Sequence, residues 1–261
     1  MFRHQGPGRS VAQNRIVAGY LALVGGFVNC ASLVLIGTFT SHVTGNVGRL
    51  GNEVALGHFA TALDAVSMIL AFFAGAFVAS MAIESAFFGR TSNAYAIALL
   101  TEATLLVLFL GVSRSGLPHD RLAAMEARIL CAAMGMQNSL VTRLSGAVVR
   151  TTHLTGVITD LGIEAARWFR WWRWSLANKL GVSLSFGKNA AERPAQEKAL
   201  LLATITGAFA VGSIAGAATS VRFPHEVMVI PILALVACAS YAFVSGRRAT
   251  DDEEHAPKTR R

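Results

Sequence analysis

Charged residues are missing from long stretches of this chain. Residues 16–36, 65–83, 199–221 and 227–245 contain none, and residues 94–112 contain only Glu102. A run of about 20 apolar residues is long enough to cross the hydrocarbon core of a bilayer as a helix. A weaker stretch over 121–140 carries Glu126 and Arg128 before an uncharged run over 129–142. The pattern predicts an all-α polytopic membrane protein with about six transmembrane helices, the fourth being the weakest. The first run is longer than the roughly 7–15 apolar residues of a secretory leader and others like it follow, so it reads as a retained span.

Between the apolar runs one polar phrase occurs twice. Residues 40–51 read TSHVTGNVGRLG and residues 151–162 read TTHLTGVITDLG. The identities pair Thr40 with Thr151, His42 with His153, Thr44 with Thr155, Gly45 with Gly156, Leu50 with Leu161 and Gly51 with Gly162. Upstream, Gly26 and Asn29 match Gly135 and Asn138. Downstream, Phe72 and Gly75 match Phe209 and Gly212. Each half therefore holds a span ending in GxxN, the phrase, and two more spans. Three crossings are odd in number, so the second half starts from the opposite side of the membrane. The expected architecture is two inverted-topology three-helix repeats, with broken or re-entrant segments after helices one and four. Such repeats build a pseudo-two-fold axis in the membrane plane, which many transporters use to alternate access around a central site.

The phrase itself suits a helix break. Thr40, Ser41 and Thr44 can cap free N–H groups, and Gly45, Gly48 and Gly51 allow close approach of backbone or helix. Irregular backbone at membrane depth is tolerated where it is buried or lines a wet cavity. The alternative is an ordinary amphipathic helix at the interface.

Charge fixes the expected orientation. Only 15% of the residues are charged, against roughly 25% in soluble domains. The net charge of +8 is concentrated before the first span, between spans four and five, and in the C-terminal tail. Basic residues stay on the cytoplasmic side, so both termini and the fourth connection are expected there. The first phrase then lies toward the outer face and the second toward the cytoplasm. The basic balance reports topology, and no nucleic-acid partner is expected. Cys30, Cys131 and Cys238 fall in separate apolar runs with no CxxC spacing, which points to small packing residues and to neither a metal nor a disulfide framework.

The expected organisation is a cytoplasmic tail over 1–15, one membrane domain over 16–245 and a polar, disordered cytoplasmic tail over 246–261. The membrane domain divides into repeats over 16–113 and 121–245, with a basic, Trp-rich cytoplasmic insertion over 167–198.

In its motifs GGFVN, TSHVTGN, AAMGMQN and TTHLTGVITDLG the chain resembles the YoaK-type family of uncharacterised bacterial membrane proteins. The resemblance covers about residues 16–245. It implies a multi-pass protein of the bacterial inner membrane with about six spans, and it implies no catalytic residue, substrate or cofactor. Family members often carry an acidic residue where this chain has Asn29, and residues 167–195 lie outside the family pattern.

Glu102 is the most unusual residue, because an ionisable group within a span is costly and by default functional. It reads as a proton relay or cation ligand, or else as a protonated acid bonded to a neighbouring helix. Asn29, Gln137 and Asn138 are intramembrane amides, suited either to interhelical bonding or to a polar solute. His42 and His153 titrate near neutrality, and with Thr44, Gly45, Asn46, Thr155 and Gly156 they complete the candidate lining. Arg49 aligns with Asp160, so the two could pair if both phrases reach the axis. Glu164, one turn beyond Asp160, would extend an acidic face. The GNVGRLG run looks like a phosphate loop but lacks its Lys-Ser/Thr ending, and no catalytic or metal signature is present.

RWFRWWRW holds Arg167, Trp168, Arg170, Trp171, Trp172, Arg173 and Trp174, including every tryptophan of the chain. Interleaved arginine and tryptophan beside a membrane read as an interfacial anchor on the lipid bilayer. Together these features favour a transporter or permease for a small polar solute, with proton coupling through Glu102 as one form. The alternative is a non-transporting scaffold or regulatory partner, with Gly75/Ala79 and Gly212/Gly216 faces mediating helix association. A homo-oligomer suits either reading. No enzyme, metal or cofactor is expected.

Overall fold

A computed structural model describes the backbone of residues 11–84, 91–144, 154–180 and 193–254, and the side chains of residues 15–84, 94–118, 120–143, 154–180 and 193–244. Of the predicted features, His153, with Thr151 and Thr152, lies outside the described residues, as do residues 255–261.

The described residues are helical, without a strand. In order the helices are α1 (Val11–Ile36), α2 (Val43–Ala55), α3 (Phe59–Glu84), α4 (Thr91–Ser113), α5 (His119–Leu144), α6 (Leu154–Lys179), α7 (Gln196–Arg222) and α8 (Val229–Glu254). Each predicted apolar run falls on a long helix, and the phrases add α2 and α6. Among the described residues four helices are long and apolar enough to cross a membrane, over Arg15–Ile36, Phe59–Glu84, Ala94–Ser113 and Gln196–Arg222. α8 is apolar over the shorter stretch Val229–Val244, and continues as helix to Glu254, into the stretch expected to be a disordered tail. In α5 the charges of Asp120, Arg121, Glu126 and Arg128 precede the apolar part.

The two phrases differ in form. The first is set off by a turn in which Gly37 takes φ 71°, a left-handed value glycine adopts without strain, and then forms the short helix α2. The second runs unbroken into RWFRWWRW within α6. No glycine or proline interrupts residues 163–179, so nothing stops the helix between phrase and tryptophans.

Two helix pairs pack at backbone contact. A Cβ added at Gly26 or Gly212 would collide with the carbonyl of Phe209 or Leu23, and one at Gly216 with that of Phe27, which joins α1 to α7. A Cβ at Gly75 or Gly135 would collide with the carbonyl of Ala132 or Phe72, which joins α3 to α5. Lipid tails are as apolar as leucine, so helices in a membrane gain mainly from such close packing of small residues. Along α1–α7 the contacts run from Gly19 on Thr204 to Phe27 on Gly216, and along α3–α5 from Asp64 on Arg128 to Ser80 on Ser139, so each pair is parallel.

The phrase glycines do not take part. Nothing lies within 4 Å of a Cβ built at Gly48, Gly51, Gly156 or Gly162, and one at Gly45 meets only His42 Cβ at 3.6 Å. The close approach expected of Gly45, Gly48 and Gly51 belongs instead to the GxxN and FxxG glycines. Around these pairs α4 packs against α8 and α5, α2 rests on α3, and α6 rests on α7. The shared core includes Leu21, Leu99, Leu106, Phe109, Leu130 and Leu235, while α3 leaves Leu63, Leu70, Phe73 and Phe77 exposed, as a lipid-facing helix would.

Candidate functional site

Asn29 is where the first phrase is fastened. Its Oδ1 accepts hydrogen bonds from the Ser41 backbone N–H at 3.1 Å and the Ser41 hydroxyl at 2.8 Å. One turn on, Ser32 Oγ lies 2.7 Å from the Asn29 carbonyl, 3.0 Å from the Thr38 carbonyl and 3.2 Å from Thr40 Oγ1. Asn29, Ser32, Thr40 and Ser41 are all buried. The amide of GxxN thus satisfies a turn that would otherwise bury free donors. The expected capping differs, since His42 is the N-cap of α2 and makes no side-chain cap bond. His42 stacks on Phe39, ring centroids 4.7 Å apart, and partial burial lowers its pKa from 6.5. Burial thus favours the neutral form of the imidazole. Asn46 is buried, whereas Thr44, Gly45 and Arg49 are exposed.

In the second phrase Thr155 and Gly156 are exposed on α6 and Asp160 is partly so. Among the described residues Arg49 and Asp160 form no ion pair; α2 lies on α3 and α6 on α7. Glu164 is buried and meets Arg167 Nη1 at 2.9 Å and Lys198 Nζ at 3.3 Å, which fastens α6 to the start of α7. It serves as a clamp between helices.

Its counterpart was legible two residues past the aligned phrase. At the same offset Glu164 falls on Glu53. Glu53 Oε2 accepts from Thr61 Oγ1 at 2.8 Å and lies 3.1 Å from His58 Nδ1, fastening α2 to the start of α3. The Thr61 hydrogen bond, then that of His58, holds the Glu53 carboxyl below its ordinary 4.5. A folded-state pKa below the unfolded one means the clamp is at full strength above 4.5 and is lost as pH falls through the lowered value. In a carboxyl 13C titration Glu53 should have its midpoint below 4.5, and Thr61→Ala should move it upward.

The interior holds a second polar set. Glu102 is 1% exposed on α4, and its Oε2 has no hydrogen-bond partner among the described residues. Cys238 of α8 stands within its electrostatic reach. On α5 Gln137 Nε2 donates to the Leu21 carbonyl of α1 at 2.9 Å, while its Oε1 is unpartnered. Thr206 Oγ1 of α7 is likewise unpartnered, and Asn138 is buried. Each such oxygen costs free energy unless something else uses it. Asn29 and His42 belong instead to the turn, and Thr44 to the first turn of α2.

The charges that weaken α5 as a span are answered by other helices. Arg128 meets Asp64 at 2.7 Å and Ser67 at 2.8 Å on α3, Glu126 accepts from Ser113 of α4, and Arg143 pairs with Glu84. The Arg128–Asp64 pair is 41% exposed on each side, and exposed pairs contribute little. Arg128→Met should therefore lower stability by no more than about 1 kcal/mol in thermal unfolding.

On α6 the rings form an interlocked surface. Trp168 and Trp171 meet edge to face at 5.5 Å, and Arg193 lies 5.8 and 5.5 Å from their centroids. Arg173 lies over Phe169, which stacks on Trp172. Phe169, Arg170, Trp172 and Trp174 are exposed.

No solved structure matches this chain. It is 25% identical over 232 residues to "UPF0700 transmembrane protein YoaK" of Bacillus subtilis (strain 168), a match covering 86% of this chain and 92% of that protein. Together with the apolar helices, this makes it a membrane protein. The family model described as "Protein of unknown function (DUF1275)" matches residues 17–241, and the chain belongs to that family.

Proposed function

We propose that this protein is a transporter of a small polar solute in the bacterial inner membrane, built as two inverted repeats with both termini in the cytoplasm. The helix pairing supports the repeat. Exchanging α1 with α5, α2 with α6, α3 with α7 and α4 with α8 turns the α1–α7 contact into α5–α3 and the α2–α3 contact into α6–α7. The collisions at Gly26 and Phe209 and at Gly212 and Leu23 become those at Gly135 and Phe72 and at Gly75 and Ala132. The α4–α8 contact maps on itself, so a pseudo-two-fold axis would pass through it, beside Glu102.

The observation that carries the transport reading is Glu102. A carboxyl buried mid-helix, with an oxygen unpartnered among the described residues, on a helix that would flank the axis of the repeat, suits a proton or cation site. Gln137 and Thr206 offer further polar atoms to a solute. No catalytic residue or cofactor is assigned. A second reading, a scaffold that transports nothing, is favoured by the close packing of Leu21, Leu99, Leu106 and Leu130 in the same interior. Proteoliposomes loaded with a pH-sensitive dye and challenged with a panel of amino acids, sugars and small organic acids separate the two. Uptake with a pH change, lost in Glu102→Gln, supports transport; no uptake of any solute by the parent protein supports the scaffold.

A further inference from the structure

A cleft of about 530 Å3 lies between α6 and α7, within the about 300–1,000 Å3 typical of small-molecule sites. Leu161, Ala165 and Trp168 line it from one face of α6, and Ala199, Leu200 and Ala203 from one face of α7. Gln196, the first residue of α7, is its polar member. The cleft straddles a chemical boundary. The charges at the start of α7 end at Lys198, and an uncharged run follows from Ala199 to Val221. The tryptophans on the facing helix mark the same headgroup depth.

The charges at the mouth are mainly basic. Arg167 and Lys198 hold the buried Glu164 between them yet stay 57% and 44% exposed at their side chains. Arg193 spreads over Trp168 and Trp171, and Trp168 itself lines the cleft. The N-cap of α7, Ala195, gives no side-chain cap bond, and the positive end of the helix dipole adds to the basic mouth. Glu197 is the opposing exposed acid. An apolar slot opening on cations at headgroup depth fits a lipid with a negative head.

We propose that this cleft is a discrete site for an anionic phospholipid, with an acyl chain between α6 and α7 and the phosphate at Arg193, Lys198 and Arg167. This goes beyond a general attraction of α6 to the bilayer, because the cleft selects one lipid and keeps it at one place. It is independent of whether the protein transports a solute.

Because all four tryptophans lie on α6, fluorescence can report on this site alone. The full-length chain carrying Trp171→Phe, Trp172→Phe and Trp174→Phe, which keeps Trp168, is reconstituted in phosphatidylcholine bilayers. A small fraction of phosphatidylglycerol or of phosphatidylcholine with brominated acyl chains is added as quencher. Brominated phosphatidylglycerol should quench Trp168 as if enriched about fivefold over its mole fraction, the effect of one basic contact. Brominated phosphatidylcholine should quench in proportion to its fraction. Ala199→Phe, which fills the cleft, and Arg193→Gln should each reduce the enrichment, and inorganic phosphate should not displace the lipid. Equal quenching by the two lipids would overturn the proposal, as would displacement by phosphate. So would enrichment that survives both substitutions, since it would then reside on the outer surface of α6. The comparison of the two lipids holds even if Ala199→Phe or Arg193→Gln fails to fold.

Discussion

Gly135→Val is expected to unfold at a markedly lower temperature than the parent chain, while Gly207→Ala unfolds at or above it. The two sites are both helical glycines, and the sequence around them gives no reason for opposite signs. What stands opposite does. At Gly135 any Cβ meets the Phe72 carbonyl and the Ala76 backbone nitrogen, neither of which can move without shifting α3. Overpacking of this kind costs about 1–3 kcal/mol or more, and the same is expected at Gly26, Gly75 and Gly212. At Gly207 nothing lies within 4 Å, so alanine only removes glycine's helix penalty, up to about 1 kcal/mol. Thermal unfolding in detergent micelles, followed by circular dichroism, reads both. Equal destabilisation at Gly135 and Gly207 would mean that the helices do not meet as described.

Asn29→Leu should be nearly as damaging, for a polar reason. The substitution removes the acceptor for two hydrogen bonds and leaves the Ser41 N–H and hydroxyl buried. A buried unsatisfied group costs about 1–3 kcal/mol, so the loss should lie at or above the upper part of that range. Asn29→Asp keeps an oxygen in the same place and should recover part of the stability in the same unfolding experiment. An aspartate no better than leucine would show that the bonds to Ser41 contribute nothing.

The membrane helices were readable from sequence because a bilayer demands uncharged length, which residues 16–36 and 199–221 supply in full. α5 was the least readable. Its Glu126 and Arg128 argue against a span until Ser113, Asp64 and Ser67 are seen beside them, and those partners are set by tertiary packing. The glycines show the limit of pattern reading. Gly45, Gly48 and Gly51 have the spacing of a packing face and turn out to be open, while Gly26 and Gly135, each beside an asparagine motif, carry the contact. Spacing tells which residues share a face, and only the neighbouring helix tells which face matters. The Glu53 and Glu164 clamps keep the spacing of the repeat two residues beyond Gly51 and Gly162, so this much of the site is legible in the sequence. RWFRWWRW stands out by composition, and because nothing in the residues before it ends a helix, α6 carries the phrase and the tryptophans together.

The account depends most on the two halves entering the membrane from opposite sides. Thr44 and Thr155 are equivalent positions in the two phrases, and both are exposed. In a chain whose Cys30, Cys131 and Cys238 are replaced by alanine, Thr44→Cys and Thr155→Cys are introduced one at a time. Intact cells with accessible inner membranes are then treated with a membrane-impermeant maleimide. The account predicts labelling at position 44 from outside, and at position 155 only after the membrane is opened. Labelling of both from the same side would contradict the inverted repeat.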